Sequence, residues 1–247
     1  MIGFFDSGLG GLTVLRRVRA LLPHHDAVFL ADQKHVPYGD RDDADLHRLL
    51  SANIAWLDAQ GCDVVAMACN TSCAVAQSLG WPTSRALVLD LIESAAIAVS
   101  DAGFERVGVL ATSATVRSGA YTTTLGRHAP HVRVHEVAAP ALVPLVEAGL
   151  LDSPEARAAV AAACAELPTD IDAVILACTH FPYLDAHFAA SLGPSVARID
   201  PAYEQAGRTA AVVASRGVQP GNGTLRTETT GDDRTALDRA VRELLGE

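Results

Sequence analysis

The sequence of 247 residues lacks any apolar run long enough to cross a membrane. A membrane-spanning helix needs about 18 to 20 consecutive apolar residues, and no stretch of this chain reaches that length. The first residues, MIGFFDSGLGG, also lack the basic segment that opens a secretory signal peptide. We therefore predict a cytoplasmic protein that does not bind membranes.

Positive charge is also scarce. Nineteen Lys and Arg residues stand against 29 Asp and Glu residues, which gives a formal net charge of −10 at pH 7. A nucleic-acid-binding surface needs a basic patch, so we predict no nucleic-acid partner. The acidic balance mildly repels anionic ligands as well, so a site for a small anion in this protein depends on local hydrogen-bond donors.

Cysteines are few, and their number is odd: Cys62, Cys69, Cys73, Cys164 and Cys178. A disulfide framework is unusual in a chain of this length without an export signal, so we expect reduced thiols. The histidines of residues 127–136 have no partner cluster, so we predict no metal site. The turn GLGG, residues 8–11, lacks the spacing of a phosphate-binding loop and is better explained as a tight strand-to-helix turn.

Hydrophobic residues make up 49% of the chain and form short runs that alternate with longer helical patterns. Strands that are apolar throughout and separated by helices are typical of parallel α/β sheets covered on both faces. We predict ten helices and eight strands, and residues 217–224 form the most loop-like stretch. The predicted strands are 2–5, 27–31, 64–68, 86–89, 107–110, 132–137, 173–177 and 196–199.

Two pairs of segments repeat along the chain. DVVAMAC, residues 63–69, aligns with DAVILAC, residues 172–178, and IGFFDSG, residues 2–8, aligns loosely with VGVLATS, residues 107–113. The offsets are 109 and 105 residues, much longer than the periods of solenoid repeats. Two pairs in the same order therefore indicate two similar α/β halves.

Each of the four repeated strands ends in polar residues. Ligands of open parallel sheets bind at the carboxyl ends of the strands, so these residues line one cleft if the two halves face each other. The two cysteines then approach the cleft from opposite walls. The polar residues are Asp6 and Ser7; Cys69, Asn70 and Thr71; Thr112 and Thr115; and Cys178, Thr179 and His180.

Two opposed thiols suit the inversion of a carbon centre, which needs a proton removed on one face and another delivered on the opposite face. Thiols can do this without a cofactor. Their ordinary pKa is about 8.5, and we expect the N–H donors of a helix that starts at Cys69 to favour its thiolate. His180 lies close enough in sequence to exchange a proton with Cys178, and Asp6 can do the same for Cys69.

Six segments resemble, in order, the motifs of cofactor-independent glutamate racemase, a member of the aspartate/glutamate racemase family. They are FFDSGLGGLTVL, VPYGDR, ACNTSCAVA, GVLATSATVRSGAY, LVPLVEAG and LACTHFPYL, and TTGD at residues 229–232 resembles a segment near that family's C-terminus. The resemblance implies two pseudosymmetric α/β domains with the active site between them, and a homodimer. We place the first domain at residues 1–91 plus 208–247, with Cys69, and the second at residues 92–207, with Cys178.

The resemblance also implies the roles of individual residues. Cys69 acts on the D-isomer and Cys178 on the L-isomer at opposite faces of the substrate Cα, with assistance from Asp6, His180 and Glu147. The reaction needs no cofactor, and its product, D-glutamate, supplies peptidoglycan. The substrate contacts are Ser7, Pro37, Tyr38, Gly39, Asn70, Thr71, Thr112, Thr115 and Thr179.

The second cysteine corner reads Cys-Thr-His, whereas related aspartate racemases typically read Cys-Thr-Glu, and this favours glutamate. Several positions depart from the family pattern, among them Gln33, Cys73 and Ala177, and they leave room for another acidic or small amino acid. The sequence also leaves open a cysteine-dependent isomerase or decarboxylase on the same fold, and an amino-acid sensor without activity. Helix capping alone would explain Asp6 and Ser7, and packing alone would explain Cys73.

Overall fold

The computed structural model describes residues 1–246, in which nine β-strands form two sheets, and every strand pair is parallel. The first sheet has the order β4-β3-β1-β2-β9 and the second the order β6-β5-β7-β8. The strands are β1 (Ile2–Asp6), β2 (Ala27–Ala31), β3 (Val64–Met67), β4 (Leu87–Leu89), β5 (Arg106–Ala111), β6 (Arg133–Ala138), β7 (Ala173–Ala177), β8 (Ala197–Ile199) and β9 (Leu225–Thr229).

Eleven α-helices and three short 3₁₀ turns connect the strands of this described part. No helix of residues 1–246 combines the length and apolar character that a membrane crossing requires. The 3₁₀ turns are Gln33–His35, Tyr38–Asp40 and Phe181–Leu184. The helices are α1 (Leu12–Leu21), α2 (Asp43–Ala59), α3 (Asn70–Leu79), α4 (Leu91–Ala102), α5 (Ser113–Ser118), α6 (Ala120–His128), α7 (Leu142–Glu147), α8 (Pro154–Ala165), α9 (Asp185–Leu192), α10 (Pro201–Ser215) and α11 (Thr235–Leu245).

The sequence explains these elements locally. The central strands β1, β2, β3 and β7 are buried along their whole length, as expected for apolar runs covered on both faces. Five helices begin at a side chain that accepts a hydrogen bond from a backbone N–H two or three residues later. These N-caps are Asp42, Asp90, Thr112, Ser153 and Asp200.

The two halves have the same strand topology, as the repeated segments predict. The order β2-β1-β3-β4 in the first sheet corresponds to β6-β5-β7-β8 in the second. The repeats coincide in register too: Asp63 N donates to Met1 O at 2.9 Å, and the equivalent Asp172 N donates to Arg106 O at 2.8 Å. The prediction of two parallel-sheet α/β units is therefore confirmed.

Helix α10 ties the chain after the second sheet to the first sheet. Gln205 is fully buried, and its Nε2 donates to Met67 O and to Leu89 O, both at 2.9 Å, at the ends of β3 and β4. Ser94 of α4 donates to Gln205 Oε1 at 2.5 Å. The predicted boundary between residues 207 and 208 falls within α10, and the domain boundaries stay a prediction.

All eight predicted strands are present, and their ends agree within one residue. Two elements were missed: β9, which follows the loop-like stretch 217–224 and adds an edge to the first sheet, and the short helix α5. Helix α3 begins at Asn70 and includes residues 72–78, where the sequence pattern predicts a helix. Cys69 is therefore the residue that directly precedes a helix.

Candidate active site

A cleft lies where the carboxyl ends of β1 and β3 face those of β5 and β7, with roughly 600 Å³ of space that includes its open mouth. Twelve of the fourteen predicted site residues line it, and they come from both halves. The two others, Thr115 and Glu147, lie behind the lining and contact it. The twelve are Asp6, Ser7, Pro37, Tyr38, Gly39, Cys69, Asn70, Thr71, Thr112, Cys178, Thr179 and His180.

Cys69 and Cys178 are both buried, and both line this cleft from different halves of the molecule. Cys69 Sγ donates to Ser7 Oγ at 3.6 Å. Burial and the nearby Asp6 carboxylate raise the pKa of Cys69 to about 12. A backbone hydrogen bond from Ser72 at the start of α3 lowers this pKa, as expected for a helix start, but desolvation outweighs it. Cys69 is held as a neutral thiol.

Cys178 has a different set of neighbours. Its Sγ lies 3.6 Å from His180 Nδ1, and His180 Nε2 lies 2.5 Å from Glu147 Oε1. Burial lowers the pKa of His180, but the bonds to Cys178 and Glu147 outweigh it and raise that pKa well above 6.5. The imidazole is therefore a cation that faces a sulfur on one side and a carboxylate on the other, which is a proton-exchange arrangement.

Asp6 holds the turn that follows β1. Its Oδ2 accepts hydrogen bonds from Gly11 N at 2.7 Å and Gly8 N at 3.3 Å, and its Oδ1 accepts one from Thr179 Oγ1 at 3.4 Å. Burial raises the pKa of Asp6, and the charge of His180 together with the two backbone bonds opposes this rise. Asp6 thus binds backbone N–H groups of the turn, and its charge also acts on Cys69. Capping of the turn and proton exchange with Cys69 are therefore compatible.

The glycines of the GLGG turn allow the two halves to approach each other. A Cβ on Gly8 would lie 2.6 Å from Glu147 Oε1, and one on Gly10 would lie 2.6 Å from Thr179 Oγ1. Both contacts join the first half to the second. This close approach explains why residues without a side chain stand at positions 8 and 10.

Three buried threonine hydroxyls from both halves meet at the cleft. Thr71 Oγ1 lies 2.9 Å from Thr112 Oγ1 and 3.4 Å from Thr115 Oγ1, and the last two are 3.0 Å apart. Thr71 belongs to the first half, while Thr112 and Thr115 belong to the second. The cluster offers hydroxyl groups that can donate hydrogen bonds to a polar ligand. Such local donors are what an anion site depends on in a protein with a net charge of −10.

Residues 33–40, here called the lip, form one edge of the cleft. The lip contributes Val36, Pro37, Tyr38, Gly39 and Asp40 to the lining. The Tyr38 hydroxyl donates to the buried carboxylate of Asp32, and its ring packs on Phe5 with centroids 6.5 Å apart. The lip is therefore fixed from beneath by its own half of the molecule.

Sequence analysis missed six lining residues and the group that anchors the lip. Val36, Asp40 and Ser113 adjoin predicted residues, and the strand-end rule applied to β6 would have found the rest. Pro140, Val143 and Pro144 follow β6 and form an apolar part of the wall, and two of them fall within the segment LVPLVEAG. Asp32 follows β2 in the same way, but no local spacing marks it.

Cys73 lies within α3 and does not line the cleft. It is fully buried, and burial followed by the nearby Asp90 carboxylate raises the pKa of its thiol well above 9.0. Such a thiol is a poor nucleophile, which supports packing rather than redox chemistry. The residues that the structure describes contain no group of three or more His, Cys, Asp or Glu side chains placed to hold a metal ion.

Comparisons with known proteins identify the family of this chain. Residues 13–209 match the Asp/Glu/Hydantoin racemase family. Glutamate racemase from Desulforudis audaxviator is 42% identical over 203 residues, which cover 81% of this chain and 74% of that protein. Glutamate racemase from Thermus thermophilus, solved in complex with β-chloro-D-alanine, is 37% identical, with a TM-score of 0.83 over 100% of this chain and 93% of that one.

A second solved structure, glutamate racemase from Francisella tularensis in complex with D-glutamate, is 25% identical with a TM-score of 0.89, over 100% of this chain and 93% of that one. The family match covers most of the chain, and the curated relative exceeds 40% identity over four fifths of it. Both results agree with the motifs and with the two-sheet fold. The chain therefore belongs to the Asp/Glu/Hydantoin racemase family.

Proposed function

We propose that this protein racemises glutamate by proton exchange at Cα between Cys69 and Cys178. The observation that carries the proposal is that two buried cysteines from different halves line one cleft. Support for glutamate comes from the relatives, which are named glutamate racemase, and from the solved relative that holds D-glutamate. The fit of the cleft to a small polar ligand adds to this support.

The environments of the two thiols assign their starting states in the L-to-D direction. The pKa of about 12 keeps Cys69 protonated, so it serves as the proton donor. His180, held as a cation by Glu147, lies 3.6 Å from Cys178, and Cys178 acts as the base that removes the Cα proton of L-glutamate. The electron pair left at Cα then takes the Cys69 proton on the opposite face, which gives D-glutamate. The reverse direction exchanges the two roles.

The neighbours of the two thiols can also return their protons after each turnover. After one turnover Cys178 holds a proton and Cys69 is a thiolate, so the protons must return before the next L-to-D cycle. His180 is 3.6 Å from Cys178 and Asp6 is the carboxylate that acts on Cys69, so each thiol has its own exchange partner. No cofactor takes part in this scheme. A cytoplasmic location, a homodimer and a supply of D-glutamate for peptidoglycan are further parts of the proposal.

Incubation with each glutamate isomer in deuterated buffer tests the reaction. Racemisation predicts that solvent deuterium enters Cα while circular dichroism shows the loss of optical activity. Binding heat without deuterium exchange would instead indicate a sensor, and release of CO₂ a decarboxylase. Either result would overturn the proposed reaction.

Single substitutions test the two-thiol assignment. We predict that Cys69→Ala and Cys178→Ala each lower racemisation by about 10³-fold, a typical contribution of a general acid or base. Cys164→Ala is the matched control, because this thiol is only half-buried and lies outside the cleft. The control keeps normal turnover. Near-normal turnover in Cys69→Ala or Cys178→Ala, with circular dichroism unchanged, would refute the assignment.

A further inference from the structure

The amide of Asn70 has one half that is fixed and one half that is free. Its Oδ1 accepts a hydrogen bond from the Tyr121 hydroxyl at 2.6 Å. Its Nδ2 is buried and has no hydrogen-bond partner among residues 1–246. Asn70 is 3% exposed and lines the cleft directly after Cys69. A buried amide N–H₂ without a partner is costly, which indicates that a ligand completes it.

Tyr121 decides which half of the amide is fixed. It is fully buried in α6 of the second half and reaches Asn70 of α3 in the first. Burial raises the pKa of Tyr121 well above 10.0, so the hydroxyl keeps its proton and needs an acceptor. Rotation of the amide by 180° would place N–H₂ against that O–H and leave the phenol proton unpaired. The oxygen therefore faces Tyr121 and the N–H₂ faces away from it.

Helices α3 and α6 form a second, similar contact one turn further along. Thr124 of α6, three residues after Tyr121, donates through Oγ1 to Gln77 Oε1 of α3 at 3.0 Å. The other half of that amide, Gln77 Nε2, donates to the carboxylate of Asp90 at 2.7 Å. A hydroxyl thus fixes the amide oxygen, and the amide N–H₂ points at a carboxylate. At Asn70 the hydroxyl is present, but no carboxylate of the described part of the chain accepts from the N–H₂.

From this parallel we propose that Tyr121 is a positioning residue, which orients Asn70 so that its N–H₂ donates to a carboxylate oxygen of the substrate. The inference rests on the proposed function, because it takes the ligand of the cleft to be an amino acid with carboxylates. It also explains how an acidic protein holds an anionic substrate, since an oriented amide supplies a donor without a positive charge.

The test is Tyr121→Phe, which removes only the hydroxyl. With no donor to hold Oδ1, the amide of Asn70 loses its preference for the orientation that donates to the substrate. We expect KM to rise about tenfold for both L- and D-glutamate, the size expected when one hydrogen bond to a charged group is lost. We expect kcat to fall less than threefold, because neither thiol is touched.

Thr124→Val is the matched control for a purely structural effect. It removes the parallel α6-to-α3 hydrogen bond, but Gln77 does not line the cleft. Both variants should lose similar thermal stability, and only Tyr121→Phe should change KM. Equal changes of KM in the two variants would show that Tyr121 merely holds the helices together, and the inference would be wrong.

A double-mutant cycle separates this inference from the proposed function. In an Asn70→Ala background, Tyr121→Phe should leave KM unchanged, because there is no amide to orient. A further tenfold rise in that background would overturn the link between the two residues. If wild-type protein fails to racemise glutamate, the proposed function fails by itself. If wild-type protein is active and Tyr121→Phe is kinetically normal, only the positioning role fails.

Discussion

At the scale of single residues, we expect the ion pair between His180 and Glu147 to make the activity depend on pH. Burial raises the pKa of Glu147, but the hydrogen bond and charge of His180 outweigh it and lower that pKa below 4.5. Replacing Glu147 by Gln keeps the shape and removes the charge, so burial pulls the pKa of His180 down. We predict that Glu147→Gln moves the alkaline limb of the kcat/KM profile to lower pH.

The sign of this shift follows from linkage. The pKa of His180 is raised on folding, so its contribution to stability is complete below the unfolded value of 6.5 and is lost as pH rises through the folded pKa. In Glu147→Gln that loss also moves to lower pH, which urea unfolding at a series of pH values measures. Glu93→Gln is the control, since Glu93 contacts His128 at the same 2.5 Å but outside the cleft. An alkaline limb that does not move in Glu147→Gln would assign it to another group.

Sequence patterns located the reactive residues better than their partners. Cys69, Cys178 and His180 stand at strand ends, and strand ends are readable from local patterns. The link between Tyr121 and Asn70 spans 51 positions and depends on how two helices pack, so no local spacing reveals it. The extent to which burial raises the pKa of Cys69 could not be predicted for the same reason, because the depth of burial is a property of the folded chain.

At the scale of elements, the lip is held by one buried carboxylate at the end of β2. Asp32 Oδ1 accepts hydrogen bonds from His35 Nδ1 at 2.7 Å and from Thr230 Oγ1 at 2.5 Å. Its Oδ2 accepts from the Tyr38 hydroxyl and from Asn53 Nδ2 at 3.2 Å. One side chain therefore joins the lip, α2 and the segment after β9.

We predict that Asp32→Asn raises KM for glutamate about tenfold and lowers the free energy of unfolding by about 1–3 kcal/mol. An amide has one acceptor oxygen instead of two, so buried donors lose their partner. Steady-state kinetics and urea unfolding measure the two effects. Asp58→Asn is the matched control, because Asp58 anchors residues 84–86 far from the cleft. A KM that rises equally in the control would show that the lip is not what Asp32 positions.

The elements that sequence reasoning missed differ physically from those it found. Most of the predicted strands are apolar, and even the polar edge strand β6, RVHEVA, keeps two valines, whereas β9 reads LRTET and is mostly half-buried at the edge of its sheet. An edge strand keeps one side toward solvent and does not need a continuous apolar run. Helix α5, SATVRS, is both short and largely polar, so it shows no helical period, whereas the equally short α7, LVPLVE, is marked by its apolar residues.

At the scale of the whole molecule, the two repeated halves share one core. The main hydrophobic cluster contains Phe4 of the first sheet together with Val109 and Ile175 of the second. A smaller cluster around Phe181 and Phe188 covers only the outer face of the second sheet. The duplication that the sequence shows therefore did not produce two independent cores, and the cleft lies above a continuous packed interior.

This shared core predicts that the protein unfolds in one cooperative step. Chains of this size with two domains often unfold in stages, because each domain has a core of its own. Here the inner faces of both sheets belong to the same cluster. Unfolding of one half therefore exposes apolar residues of the other half to water and destabilises it. Calorimetry should therefore show one transition with equal calorimetric and van't Hoff enthalpies, and urea curves from fluorescence and circular dichroism should coincide. Two resolved transitions would mean that the contacts between halves are weaker than each half's own packing, and that the cleft opens before either sheet unfolds.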